Sequence, residues 1–261
     1  MTKMSAYQTE EEFRDLVMRA ARDPDFPQYG YGIVLAFSQA LALAESGLSL
    51  LELGVAGGNG LVAMERLAAT YNPERALEVA ISGFDLGSGM PAPLDYRDVP
   101  HIWKEGFYKM DLDRLMEKLS AARVILGDIR ETGKTFIAEV ERPIGFISFD
   151  LDFYSSTTAA FSTLLYASPD KFLPRVVCYF DDTVGPHSEM HSEYTGELLA
   201  IREFNAANTQ RKIAKLNGLQ QKLAPITGNW IEGIFILHLF DHPRYNDYVY
   251  QIQDRQLPLT V

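Results

Sequence analysis

The sequence predicts a doubly wound α/β sheet, mostly parallel and seven-stranded, with an antiparallel edge hairpin and two helices ahead of it. Three observations carry that expectation. Five short apolar runs alternate with segments of helical spacing, the pattern of parallel strands joined by crossover helices. Carboxylates recur at the ends of those runs, so the topology gathers them along one rim of the sheet. The last two apolar runs, Lys212 to Asn217 and Ile231 to Phe240, lack a full-length crossover helix between them, which favours antiparallel pairing at an edge.

Thr9-Glu-Glu-Glu-Phe13 opens the first helix with a capping residue and an acidic first turn, and the helix runs to about Arg22. A Pro- and Tyr-rich break, Asp23 to Tyr31, precedes a strongly apolar helix from about Tyr31 to Ser46. Residues 1–47 are expected to form a helical cover or lid on a domain of residues 48–261, the two making one compact unit. Leu48-Ser-Leu-Leu-Glu52-Leu-Gly54-Val-Ala-Gly57-Gly58-Asn-Gly60 passes from the first strand through a glycine-rich turn into the helix Leu61 to Tyr71. Such a turn lets backbone approach a ligand and leaves helix N-terminal amides free to donate. Glu52 would repel a diphosphate at that strand end but suits the ammonium of an amino acid, so S-adenosylmethionine is favoured over a dinucleotide.

The second strand, Val79 to Phe84, ends at Asp85, an acid placed to accept the two hydroxyls of a ribose. After it, Pro91 to Lys109 is irregular and carries His101 and Trp103; a helix is expected over Asp111 to Ala122 and a third strand from Arg123. Asp128 at its end can meet an adenine amino group or cap the helix Glu131 to Val140.

The centre of the chain is Ile144 to Thr183. A fourth strand, Ile144 to Phe149, ends in Asp150-Leu-Asp152; a helix follows over Thr158 to Tyr166; a fifth strand, Arg175 to Phe180, ends in Asp181-Asp182. Four aspartates on one rim repel, and a hard divalent cation with oxygen ligands compensates them, although an Asp in this position can also merely cap a helix or turn. Beyond lie a polar loop with His187 and His191, a helix Gly196 to Ala207, a loop Gly218 to Trp230 between the last strands, and an unassigned tail from Tyr245.

Composition narrows the partners. A net charge of -11 with no Lys/Arg cluster argues against nucleic acid and anionic membrane. Cys178, the single cysteine, lies in an apolar strand and is expected to be a buried hydrophobe. No apolar signal core stands at the N-terminus and no uncharged run reaches membrane-spanning length, so a cytoplasmic protein is expected.

Asp150-Leu-Asp-Phe-Tyr154-Ser-Ser-Thr157 resembles the Asp-Gly-Asp-Leu-Tyr-Glu-Ser-Thr stretch of the macrocin O-methyltransferase (TylF-like) family, and Asp181-Asp182 resembles its paired aspartates. Glu52-Leu-Gly-Val55 with Gly57-Gly58 is similar to that family's first motif, and Asp85-Leu-Gly-Ser-Gly-Met-Pro91 to its Asp-x-Phe-x-Gly-Ile-Pro, with Gly87 in place of the aromatic. The resemblance implies a class I, Rossmann-like methyltransferase sheet and a magnesium-dependent O-methyltransferase. It implies Asp152, Asp181 and Asp182 as Mg2+ ligands, and Glu52, Gly54, Gly58 and Asp85 around S-adenosylmethionine; Asp128 and Asp150, each at a strand end, are expected on the cofactor side. His101, in the loop where that family keeps a catalytic histidine, is the expected base, with His187 as its rival. The loop after Asp182 and the opening helices depart from the family, so a macrolide sugar does not follow; a small hydroxylated acceptor, sugar-bearing or catechol-like, and a homo-oligomer are expected. The competing readings are a dinucleotide oxidoreductase, which has no use for three metal-binding aspartates, and a non-catalytic assembly protein.

Overall fold

A computed structural model describes residues 10–72 and 76–249; the expected helix cap Thr9 and the tail residues 250–261 lie outside them. Two helices, α1 (Glu10–Ala20) and α2 (Pro27–Ala42), precede β1 (Gly47–Leu53), α3 (Asn59–Tyr71), β2 (Glu78–Asp85), a short α4 (Leu112–Met116), β3 (Arg123–Leu126) and α5 (Ile129–Glu139). The second half holds β4 (Ile144–Phe149), α6 (Tyr154–Leu164), β5 (Phe172–Phe180), α7 (Gly196–Ala207), β6 (Arg211–Lys215), α8 (Leu219–Leu223) and β7 (Ile234–Leu239).

The seven strands form one sheet in the order β3-β2-β1-β4-β5-β7-β6. Strands β1 to β5 pair in parallel, and β7 runs antiparallel to both β5 and β6, as the last two apolar runs predict. Every residue of β1 and β4 is buried, because helices cover both faces of a parallel sheet. One core layer joins Tyr29, Phe37 and Leu61 to Leu50 and Phe146; the other joins Phe136, Phe161 and Phe204 to Phe149 and Phe180.

Four of the element boundaries that differ from expectation have a physical reason in the structure. Helix α2 begins at Pro27, within the stretch read as a break, because proline at the first helical turn sacrifices no hydrogen bond. Helix α4 ends at Met116 instead of continuing to Ala122: the Glu65 carboxylate takes the amides of Ser120, Ala121 and Ala122, which turns the chain out of helix. Strand β5 starts at Phe172, with Pro174 tolerated where the β4 pairing shifts register. The segment Gly218 to Trp230 contains α8, whose Leu219 and Leu223 bury on one face one turn apart.

The chain passes outward from β1 through β2 to β3, then restarts at β4 on the other side of β1. The carboxyl ends of β1 and β4 therefore flank the switch point at which ligands of such sheets bind. Leu53 is in register with Phe149, and Phe149 with Phe180, so Gly54, Asp150 and Asp181 leave the sheet side by side. The Phe149 and Phe180 rings stack at 4.4 Å beneath that rim.

Candidate active site

At this switch point lies a cavity of about 690 Å³. Gly54 and Ala56 of the glycine turn, Asp85, Asp128, Asp150, Asp152, Asp181 and Asp182 line it, and the loop after β2 adds Trp103 and Tyr108.

Gly54 has φ of 90°, and a Cβ there would run into the Asp150 carbonyl, so the turn brings β1 and β4 closer than any other residue permits. Asp85 holds the same turn: its Oδ2 accepts from the amides of Val55 and Ala56, both at 2.9 Å, and Oδ1 from Gly87 at 2.6 Å. Asp128 also lines the cavity and caps α5, accepting from the Arg130 amide at 2.8 Å and pairing with its guanidinium. Backbone bond and guanidinium hold its carboxyl below the usual range.

Two glycine-motif residues expected at the cofactor lie off the cavity. Gly58 caps α3 and is covered by the Leu115 side chain. Glu52 faces the α2 side of the sheet, 2 % exposed, where the Tyr29 hydroxyl donates to its Oε1 at 2.6 Å. Among the described residues its Oε2 has no hydrogen-bond partner, and neither has Ser148 Oγ on the adjoining strand. Burial drives the Glu52 carboxyl up to about 8, opposed by the Tyr29 bond and reinforced by Asp85.

Oxygen atoms of Asp150, Asp152 and Asp182 come within 4.8 Å of one another, a spacing that can chelate one ion. Asp152 and Asp182 of the expected ligand set fall in this grouping together with Asp150, expected on the cofactor side; Asp181 lines the same cavity, and its Oδ1 accepts from the Tyr179 hydroxyl at 2.5 Å. Asp152 has a left-handed backbone, φ 57°, and its amide donates to Asp182 Oδ2 at 2.9 Å. Desolvation, then the charges of neighbouring acids, pushes Asp150 and Asp182 well above the ordinary carboxylate range and Asp152 to about 8. An all-oxygen set under mutual repulsion fits a hard dication such as Mg2+. The Gly54 turn, the Asp85 carboxylate and the size of the cavity fit a nucleoside cofactor with an amino-acid tail.

Neither expected base reaches the cavity: His101 and His187 are exposed and do not line it. Their loops instead turn other side chains inward. Trp103 packs edge-on to Tyr108 at 5.9 Å, and its Nε1 is buried without a hydrogen-bond partner among the described residues. Burial, then the charges of Asp152, Asp182, Asp150 and Glu189, raises the Tyr108 phenol. Glu189 lines the cavity, with His191 Nε2 at 2.8 Å from its Oε2. Sequence reasoning missed Glu197 altogether. This first-turn acid of α7 is 0 % exposed and lies beneath the aspartates, where it reads in sequence as an ordinary helix-start carboxylate.

No protein-family model matches the chain, and no curated protein matches it. Solved structures do. The calicheamicin methyltransferase CalS11 is 19% identical, with a TM-score of 0.56 over 89% of this chain and 94% of its own. The O-methyltransferase NovP is 14% identical, with a TM-score of 0.54 over 88% and 99%. The chain thus has the Rossmann-like fold of the class I methyltransferases.

Proposed function

We propose that this chain transfers the methyl group of S-adenosylmethionine to a hydroxyl of a small molecule, with magnesium held by Asp150, Asp152 and Asp182. The observation that carries this reading is the acidic cluster sharing one cavity with the glycine turn and Asp85, on a methyltransferase fold. When bound, the dication would supply the positive charge that lowers the proton affinity of an acceptor hydroxyl. Asp85 and the backbone at Gly54 would hold the methyl donor. Trp103 and Tyr108, which line the cavity, would orient the acceptor, the first through its ring and the second through a hydroxyl beside the acids. Glu189, backed by His191, is the group best situated to receive the acceptor's proton.

The acceptor class we favour is a sugar-bearing or catechol-like natural product. The description of CalS11 as a calicheamicin methyltransferase and of NovP as an O-methyltransferase supports it. A thermal-shift assay tests the reading: S-adenosylhomocysteine should raise the melting temperature, and magnesium should add to that rise. Stabilisation by NAD but not by S-adenosylhomocysteine would end it. Labelled methyl uptake across a panel of hydroxylated metabolites would then identify the acceptor.

A further inference from the structure

The cluster of Asp150, Asp152 and Asp182 is assembled from two separate loops, one after β4 and one after β5. Its geometry is therefore only as firm as the hold of one loop on the other. Beneath both lies Glu197. Its Oε1 accepts from the Leu151 amide at 3.5 Å and its Oε2 from the Asp182 amide at 3.2 Å, so one carboxylate reaches both loops through different oxygens. Leu151 stands between two of the cluster's aspartates, and Asp182 is the third. A carboxylate is suited to two amides that converge from different loops, because it offers two separate acceptor oxygens and no donor.

The location is costly. Burial, then the charges of Asp182, Asp150 and Asp181, works against an ionised Glu197. A neutral side chain would serve stability better in the absence of a cation. We propose that Glu197 is a positioning residue that sets the spacing of the two loops and thereby the preference of the cluster for a small dication. This inference rests on the magnesium reading above. Mg2+ demands near-ideal octahedral geometry at short distance, whereas Ca2+ accepts longer and irregular coordination, so loosened loops penalise Mg2+ more.

Calorimetric titration of Mg2+ and of Ca2+ into wild type, Glu197→Gln and Glu197→Asp tests it. Each variant is measured at a temperature where its far-ultraviolet circular dichroism matches wild type. Glu197→Asp keeps the charge but is one methylene too short to reach both amides; Glu197→Gln keeps the length but loses the charge and one acceptor. The expected result is a loss of Mg2+ affinity of roughly 10- to 100-fold in both variants, with a smaller loss for Ca2+, so that the Mg2+/Ca2+ ratio falls. Equal losses for the two ions in Glu197→Gln, with wild-type behaviour in Glu197→Asp, would mean that only through-space charge matters and would overturn the proposal. Unchanged affinities in both variants would overturn it as well. Wild type binding neither ion would remove the magnesium reading and this inference together, a failure visible without any variant.

Discussion

The backbone amide of Asp152 donates to Oδ2 of Asp182 at 2.9 Å, joining the two neighbouring strand ends that supply the acidic cluster. The bond helps to hold Asp152 at φ 57°, a left-handed conformation that glycine adopts freely and Asn or Asp only at some cost, and one that persists where its surroundings over-determine it.

Asp182 is thus both ligand candidate and loop fastener. In Asp182→Asn the amide oxygen can still accept from Asp152, but the charge toward a cation is gone. Magnesium-stimulated methyl transfer should fall by at least about 100-fold, the several kcal/mol that a Lewis acid supplies. S-adenosylhomocysteine affinity should stay within about twofold. Labelled methyl uptake after chelation and magnesium add-back measures the first, and calorimetry the second; loss of both together would point to misfolding.

The raised acids predict a pH dependence of known sign. Glu52 and Asp152 both stand near 8 in the folded protein, above the ordinary carboxylate range of the unfolded chain. The folded state therefore keeps protons that the unfolded state has released. The associated stability is full below the ordinary range and is lost as pH rises through the folded values. The melting temperature of chelator-treated protein should fall between about pH 5 and about pH 8, and magnesium should restore part of it at the upper end. Glu52→Gln should flatten part of the slope; a melting temperature that climbed over this range would contradict the assignment.

Tyr29→Phe removes the hydroxyl that donates to Glu52 Oε1 and, among the described residues, leaves both carboxyl oxygens buried without partners. A loss of about 1–3 kcal/mol is expected from denaturant titration, larger at alkaline pH, where Glu52 is ionised.

Gly54→Ala combines a left-handed backbone with a collision at the Asp150 carbonyl. We expect at least about 2 kcal/mol of destabilisation and weakened S-adenosylhomocysteine binding, because the turn and the β4 rim cannot both keep their places.

His101→Ala and His187→Ala should each retain activity within about threefold of wild type, since both side chains are exposed and off the cavity. A loss of about 100-fold in either would return that residue to the catalytic machinery and require its loop to move.

Much of this molecule was legible in its residues. The short apolar runs and the helical spacings between them foretold the alternation of strands and helices, the missing crossover before Ile231 foretold the antiparallel edge, and acids following apolar runs marked the working rim. These signals are local, carried by near neighbours along the chain. Only the tertiary structure decided which oxygens converge. Asp150 joins Asp152 and Asp182 within chelating distance, while the Tyr179 hydroxyl donates to one oxygen of Asp181. Glu52 meets Tyr29, 23 residues earlier, on the α2 face of the sheet, and Glu197 reached under the rim from the far side of the β5 loop. Side-chain direction beyond a strand end depends on partners distant in sequence, and no local pattern encodes where those partners will stand.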